Sequence, residues 1–304
     1  MTKKTIFFFL LVYTFLGFPL QAATYKLTND SIDVIIPCIY KDKNTLNLCI
    51  EGIRKNCQQI GRVIVISPEC YTDQAEWFDE KQFSFSKQDI TYYLAKQNTE
   101  KAQSASIQRR AGWYFQQLLK LYASYVIPDL SPNILLLDSD TVFLHPITFL
   151  TPSGNGIYNV GQEWHKPYFS HMDRLLPGLK RVYNPHSGIC HHMLFQRPIL
   201  EDLFHAVESQ HGMDLWKAFC LQVNLDEFES GASEYEIYFN FAFSHTNQLQ
   251  IRPLKWAESS AFYETKDKYQ QEGYAYVSYH DWMKDSGRPP VLHIPTEHGV
   301  QIYH

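Results

Sequence analysis

Hydrophobic and polar positions fall along this chain in blocks that switch between a period of two and a helical period. Ser31-Ile-Asp-Val-Ile-Ile-Pro37-Cys-Ile-Tyr40 is a short apolar run with an acid near its start and a proline toward its end, which reads as a buried strand. Lys41 to Asn44 is polar. Leu46, Ile50, Ile53 and Cys57 then recur at i, i+4, i+7 and i+11, one face of a helix that stops at Gly61. Arg62-Val-Ile-Val-Ile-Ser67 is a second apolar run. Strand, helix and strand in such close succession predict a right-handed βαβ unit in a parallel sheet.

Beyond this unit, residues 71–107 are mixed, with Ile90-Thr-Tyr-Tyr-Leu94 predicted as a short strand. Gln108 to Val126 reads as a helix whose apolar stripe is Trp113, Leu118, Leu121, Tyr122 and Tyr125, with Arg109, Arg110 and Lys120 off the stripe. Asn133 to Leu137 is an apolar strand, and Val142-Phe-Leu144 a second apolar run close behind it. Thr151 to Asn159 is rich in Gly, Pro, Ser and Asn and predicts a flexible lid or rim. Asn184 to Phe195 predicts a loop entering a strand, and Pro198 to Lys217 one helix. Ser233-Glu-Tyr-Glu236 forms a capping box that opens a helix, accounting for Glu236 by capping alone. Tyr274 to Trp282 alternates as an aromatic strand ending in His-Asp-Trp. No linker, repeat or low-complexity tract divides residues 23–304, so a single compact α/β domain is expected, its mostly parallel central sheet flanked by helices.

The chemistry concentrates in Asp138-Ser139-Asp140. In extended backbone the two carboxylates share one face, about 7 Å apart at Cα. Acids at the end of a buried strand need a cation or hydrogen bonds to offset their desolvation. A hard divalent ion fits, because it prefers oxygen ligands and keeps positions open for phosphate oxygens. Ligands of parallel sheets sit at the strands' C-terminal ends, which makes Pro37, Tyr40 and Ser67 candidate nucleotide contacts. The basic group Arg109, Arg110 and Lys120 could reach a diphosphate or form a solvated helix face. Alternation puts His191 and His192 on opposite faces, so the two cannot line one pocket.

The stretch from Gly112 to Phe149 combines the helix Gly-Trp-Tyr-Phe-Gln-Gln-Leu-Leu-Lys-Leu, a short loop, Leu-Leu-Leu-Asp138-Ser-Asp140 and an apolar strand. It resembles the core of a GT-A fold glycosyltransferase. It is similar to nucleotide-sugar transferases of the glycosyltransferase family 8 type, and closer to a group of uncharacterised GT-A-like bacterial proteins. The likeness runs from about residue 31 to 295, and only the Asp138–Asp140 segment is specific. It implies Mn²⁺ or Mg²⁺ on Asp138 and Asp140, completed by a histidine near the C-terminus, with His280 the best match and His293 second. Gln117 and Lys120 match the helix positions facing the donor, and Ser139, Gly188 and His191 join the donor contacts. Asn184 would complete an Asn-x-Gly element under the donor sugar, but extra residues separate it from Gly188. Asp140 and Glu234 are the implied catalytic carboxylates, Glu234 facing a hydroxyl of a glycan, lipid or protein acceptor. The alternatives are a nucleotidyl- or phosphotransferase using the same metal–phosphate geometry, and a non-catalytic carbohydrate-binding protein that keeps the fold.

Composition changes this picture at three points. Lys3 and Lys4, the apolar run Ile6 to Leu20 and Leu20-Gln-Ala22 read as a signal peptide with cleavage after Ala22. The run is short for a membrane span, which needs about 20 residues, and a short N-terminal membrane anchor is the alternative. Removing Lys3 and Lys4 leaves 25 basic against 32 acidic residues, a net charge of −7, which argues against a nucleic-acid partner. The six cysteines lie in the exported part, so disulfides and buried thiols are both open. The chain has no Walker A, G-x-G-x-x-G, G-x-S-x-G or H-E-x-x-H motif.

Overall fold

The computed structural model describes residues 22–97, 105–227, 230–260, 262–280, 283, 287–296 and 299–303. The signal segment before Ala22, the Arg109 side chain and Asp281–Trp282 lie outside the described residues. Strand β1 (Ile32–Pro37), helix α1 (Lys43–Asn56) and strand β2 (Ile60–Ser67) form the expected βαβ unit, with β1 and β2 parallel. The one acid inside β1, Asp33, is buried but accepts from the Arg62 N–H at 2.8 Å and the Ser131 N–H at 2.9 Å, which offsets its desolvation.

Strand β3 (Glu76–Asp79) continues the sheet, followed by α2 (Lys87–Gln97), α3 (Ala105–Val126) and β4 (Asn133–Leu137). Helix α2 overturns the strand expected at Ile90–Leu94. Ser86 and Asp89 form a reciprocal cap: the Ser86 N–H donates to the Asp89 carboxylate at 2.8 Å, and the Asp89 N–H to Ser86 Oγ at 3.3 Å. Ile90 and Leu94 are then buried at helical spacing, so the cap decides against the β preference of Ile-Thr-Tyr-Tyr. In α3 the buried face is Tyr114, Leu118 and Leu121 together with Gln117 and Lys120, while Tyr125 is exposed. Lys120 is therefore no solvated residue.

The chain then forms β5 (Thr141–Phe143), β6 (Ile157–Tyr158), α4 (Lys166–Leu175) and β7 (His192–Gln196). The first sheet has the order β3-β2-β1-β4-β7 and is parallel except for β7. The expected flexible rim at Thr151–Asn159 is packed structure instead. Gly154 has φ +83° and lies so close to Thr28 that an added Cβ would come within 2.4 Å of backbone. Asn159 is buried and donates to the Tyr276 hydroxyl at 2.8 Å.

Helices α5 (Arg197–His211) and α6 (Leu215–Leu221) replace the single helix expected over Pro198–Lys217. Gly212 ends α5 in the left-handed conformation, where a side chain is disfavoured. Helix α7 (Glu234–His245) starts at the predicted cap, with Ser233 Oγ accepting from the Glu236 N–H at 3.3 Å. The Glu236 carboxylate does not reach back to complete the box. It turns inward to accept from Ser187 Oγ and from Asn240 Nδ2, and so ties the 183–191 loop to α7.

Strands β8 (Gln250–Ile251) and β9 (Trp256–Ser259), helix α8 (Phe262–Gln271), and strands β10 (Tyr276–Tyr279), β11 (Val291–Thr296) and β12 (Gly299–Tyr303) complete the chain. Their second sheet runs β12-β11-β9-β10-β5. The result is an α/β domain with a mostly parallel central sheet flanked by helices. The six cysteines are unbridged, and all but Cys70 are buried. Among the described residues no helix is long and apolar enough to cross a membrane.

Candidate active site

The turn Asp138-Ser139-Asp140 is the joint between the two sheets, since β4 ends in the first and β5 begins in the second. Backbone hydrogen bonds clamp it from both sides. The Asp138 N–H donates to the His191 carbonyl at 3.1 Å, and the Tyr279 N–H to the Asp140 carbonyl at 2.9 Å. Pairing of β5 with β10 sets Thr141 opposite Ser278, and so brings His280 to the turn. Pairing of β4 with β7 sets Leu137 opposite His192, and so brings His191 there too.

The turn opens on a cavity of about 270 Å³ lined by Trp113, Gln117, Lys120, Asp138, Ser139, Asp140, Glu163, Tyr168, His191, Glu234, Tyr235 and His280, among others. Lys120 crosses its floor. Its Nζ donates to Asp138 Oδ1 at 2.6 Å, Glu234 Oε1 at 2.8 Å and the Tyr235 hydroxyl at 3.0 Å. Gln117, one turn earlier, pins the start of α7, accepting from the Glu234 N–H at 3.0 Å and donating to the Ala232 carbonyl at 3.2 Å. The opposite wall carries His191 and His280, and these and His293 pair with carboxylates. His191 Nδ1 lies 3.3 Å from Asp138 Oδ2, and its Nε2 3.7 Å from Glu258 Oε1. His280 Nδ1 lies 3.1 Å from Asp140 Oδ2, and His293 Nε2 3.3 Å from Glu258 Oε1.

Burial and neighbouring charge pull against each other here. Burial opposes the Lys120 ammonium, yet Asp138 and Glu234 hold its pKa well above that of a free lysine. Burial would raise the Asp138 carboxyl, but Lys120 and His191 outweigh it and hold the group well below the usual range. Burial disfavours the His191 cation, and the Asp138 and Glu258 carboxylates reverse this, raising it to about 10. Glu258 is desolvated and still held low by His191 and His293. Burial raises Glu234, with Lys120 opposing. Glu163 opens on the cavity at its exposed rim, where the enclosing protein pushes its carboxyl up to about 7.

Of the residues expected from the sequence, Gln117, Lys120, Asp138, Ser139, Asp140, His191, Glu234 and His280 meet around this cavity. Pro37 lines a neighbouring cavity of about 420 Å³. Tyr40 is exposed and lies edge-on to Tyr71, with 6.2 Å between ring centroids. Ser67 is buried and donates to the Glu69 carbonyl at 2.6 Å, outside both cavities. Gly188 packs on α7, where an added Cβ would lie 2.6 Å from Phe239. Asn184 is exposed on the 183–191 loop. The two adjacent histidines do divide, but through a left-handed turn at His191 (φ +62°) rather than strand alternation: His191 faces the site, while His192 is buried between Phe143, Phe149 and Tyr276, which lowers it to about 3 through desolvation.

Sequence reasoning passed over Glu258 and gave Glu163 no role. Glu258 is a lone acid in the short strand Trp256-Ala-Glu-Ser, and a charge inside an otherwise apolar strand is the signal that could have found it. The donor set suits a divalent ion. One ligand atom each from His191, Glu258 and His280 falls within 4.8 Å of the others, and Asp140 Oδ1 is buried with no hydrogen-bond partner. Asp138 is already engaged by Lys120 on one oxygen and His191 on the other.

No curated protein matches this chain. Among solved structures, mouse xyloside xylosyltransferase 1 in its apo form is similar over 82% of this chain and 97% of that chain, at 11% identity and a TM-score of 0.40. That likeness is too loose to carry an activity. The family described as "Family of unknown function (DUF6492)" matches residues 29–279, and the chain belongs to it.

Proposed function

We propose that the protein is a glycosyltransferase. It moves a sugar from a nucleoside diphosphate donor to a hydroxyl of a glycan, lipid or protein acceptor, with a divalent cation at the site. The observation that carries this reading is the Asp138–Asp140 turn, which meets Lys120, His191 and His280 in one cavity at the seam of two sheets. The adjoining larger cavity lies at the C-terminal end of β1, where α/β sheets bind their ligands. Pro37, Ile39, Ile66 and Trp113 give it an apolar wall suited to a base and ribose, and it shares Lys41, Asp42, Trp113 and Gln116 with the first. The diphosphate would lie at this junction and the sugar beside Glu163 and Tyr168.

In the transfer the acceptor oxygen bonds to the anomeric carbon. The bond from that carbon to the phosphate oxygen breaks, and its electron pair leaves with the nucleoside diphosphate. The hydroxyl proton passes to a carboxylate, and Glu163 suits this better than Glu234, whose carboxylate is held by Lys120. Bound among Asp140, His280 and their neighbours, the cation would offset the negative charge that builds on the leaving group. The N-terminal segment would export the chain or tether it to a membrane. The test is release of a nucleoside diphosphate from a panel of sugar nucleotides, with and without Mn²⁺. Release of pyrophosphate would point to nucleotidyl transfer. Ligand binding without turnover, unchanged in Asp140→Ala, would make this a binding protein.

A further inference from the structure

We infer that His191, Glu258 and His280 form a three-ligand site for a first-row transition ion such as Mn²⁺ or Zn²⁺. Asp138 then serves as an outer carboxylate that orients His191, not as a ligand, while Asp140 orients His280 through Oδ2 and keeps its other oxygen buried without a hydrogen-bond partner. This sharpens the cation of the proposed transferase, but its geometry stands without that reaction.

Each aspartate of the turn holds a different histidine by the same ring atom. Asp138 Oδ2 is 3.3 Å from His191 Nδ1, and Asp140 Oδ2 is 3.1 Å from His280 Nδ1. A metal-bound histidine commonly gives its other ring N–H to a carboxylate, which fixes the tautomer and the ring plane. For His191 this turns Nε2 toward Glu258 Oε1, at 3.7 Å. That gap is too long for a hydrogen bond. It is close to the roughly 3.4 Å between two ligands of a tetrahedral ion with bonds of 2.0–2.1 Å.

Glu258 is also braced. His293 Nε2 lies 3.3 Å from its Oε1, and the His293 ring stacks on Trp256 with 3.6 Å between centroids. The three ligands sit on rigid elements: Glu258 within β9, His280 directly after the parallel neighbour β10, and His191 directly before β7. Asp138 is a poor ligand by comparison. Its Oδ1 carries the Lys120 ammonium at 2.6 Å, and a divalent ion on that carboxylate would face a cation across it. Two imidazoles and one carboxylate favour Mn²⁺ or Zn²⁺ over Mg²⁺, which prefers oxygen ligands and holds its waters.

The experiment is a Mn²⁺ soak of crystals of the full chain, located by anomalous scattering. Alongside it runs Mn²⁺ binding in solution by wild type, Glu258→Gln and Asp138→Asn, with Mg²⁺ as competitor. The ion is expected within about 2.0–2.3 Å of His191, His280 and Glu258 atoms. Glu258→Gln should lose Mn²⁺ binding, Asp138→Asn should weaken it about 10–100-fold, and excess Mg²⁺ should not displace the ion. An ion seated on Asp138 and Asp140, no ion at millimolar Mn²⁺, or wild-type affinity in Glu258→Gln overturns the inference. The wild-type soak decides the matter should a variant not fold. A chain that binds Mn²⁺ on these three residues but releases no nucleoside diphosphate keeps the site and sinks the transferase reading.

Discussion

Lys120 Nζ lies 2.6 Å from Asp138 Oδ1, so the first acid of the Asp-x-Asp turn is neutralised from inside the protein. Lys120 also holds Glu234 at 2.8 Å, and is itself only 3% exposed. Lys120→Met would leave the buried Glu234 and the half-buried Asp138 without their shared cation, at a cost of about 3–5 kcal/mol. Urea denaturation monitored by circular dichroism measures this. A loss below about 1 kcal/mol would place the pair with weak surface ion pairs and undo the account of the cavity floor.

Glu163 supplies the pH dependence of the proposed transfer. A proton acceptor must be ionised, and desolvation by the protein around the cavity rim raises the Glu163 carboxyl to about 7. The kcat/KM should therefore fall about tenfold per unit as pH drops below about 7 and level off above it. Glu163→Gln should remove this limb together with most of the rate. A profile of unchanged shape in the variant would assign the base elsewhere.

His171 contributes an acid-labile element to the fold. It is fully buried on α4, its Nε2–H donates to the Phe219 carbonyl at 2.9 Å, and burial lowers it to about 4. Its folded pKa is below the unfolded value of about 6.5, so the unfolded chain binds the extra proton first as pH falls. Stability from this group is complete above about 6.5 and is lost toward 4, by about 1.4 kcal/mol per pH unit. Thermal melts at stepped pH should show the decline, and His171→Phe should flatten it. An equal slope in both proteins would count against His171.

Gly188 tests the packing that carries the His191 loop. An added Cβ would sit 2.6 Å from the Phe239 side chain on α7, so Gly188→Ala forces loop and helix apart. The expected cost is about 1–3 kcal/mol, read as a lower melting temperature. A variant as stable as wild type would mean that the loop rides freely on α7.

The first sheet was largely legible because its strands are apolar on both faces and separated by a helix of clear period. Ile32, Val34, Ile35 and Ile36 are fully buried, as are Leu46, Ile50 and Ile53 of α1. The second sheet was legible only in part. The strand at β10 and the apolar run at β5 were expected, but β9, β11 and β12 were not, and β5 pairs with β10 across more than a hundred positions. The strand expected at Ile90–Leu94 failed for a local reason, a serine–aspartate cap against residues of β preference.

The sequence alone determined the βαβ unit, the acid pair at the end of a buried strand and the start of α7 at Ser233. These follow from local periodicity, from cap chemistry and from the cost of burying charge. Only the tertiary structure decided which partner each acid meets. Lys120 is 18 residues from Asp138 and 114 from Glu234, and His280 is 140 from Asp140. No periodicity spans such distances; the pairing of strands across two sheets does, and it turns an Asp-x-Asp into the support of a histidine–carboxylate site.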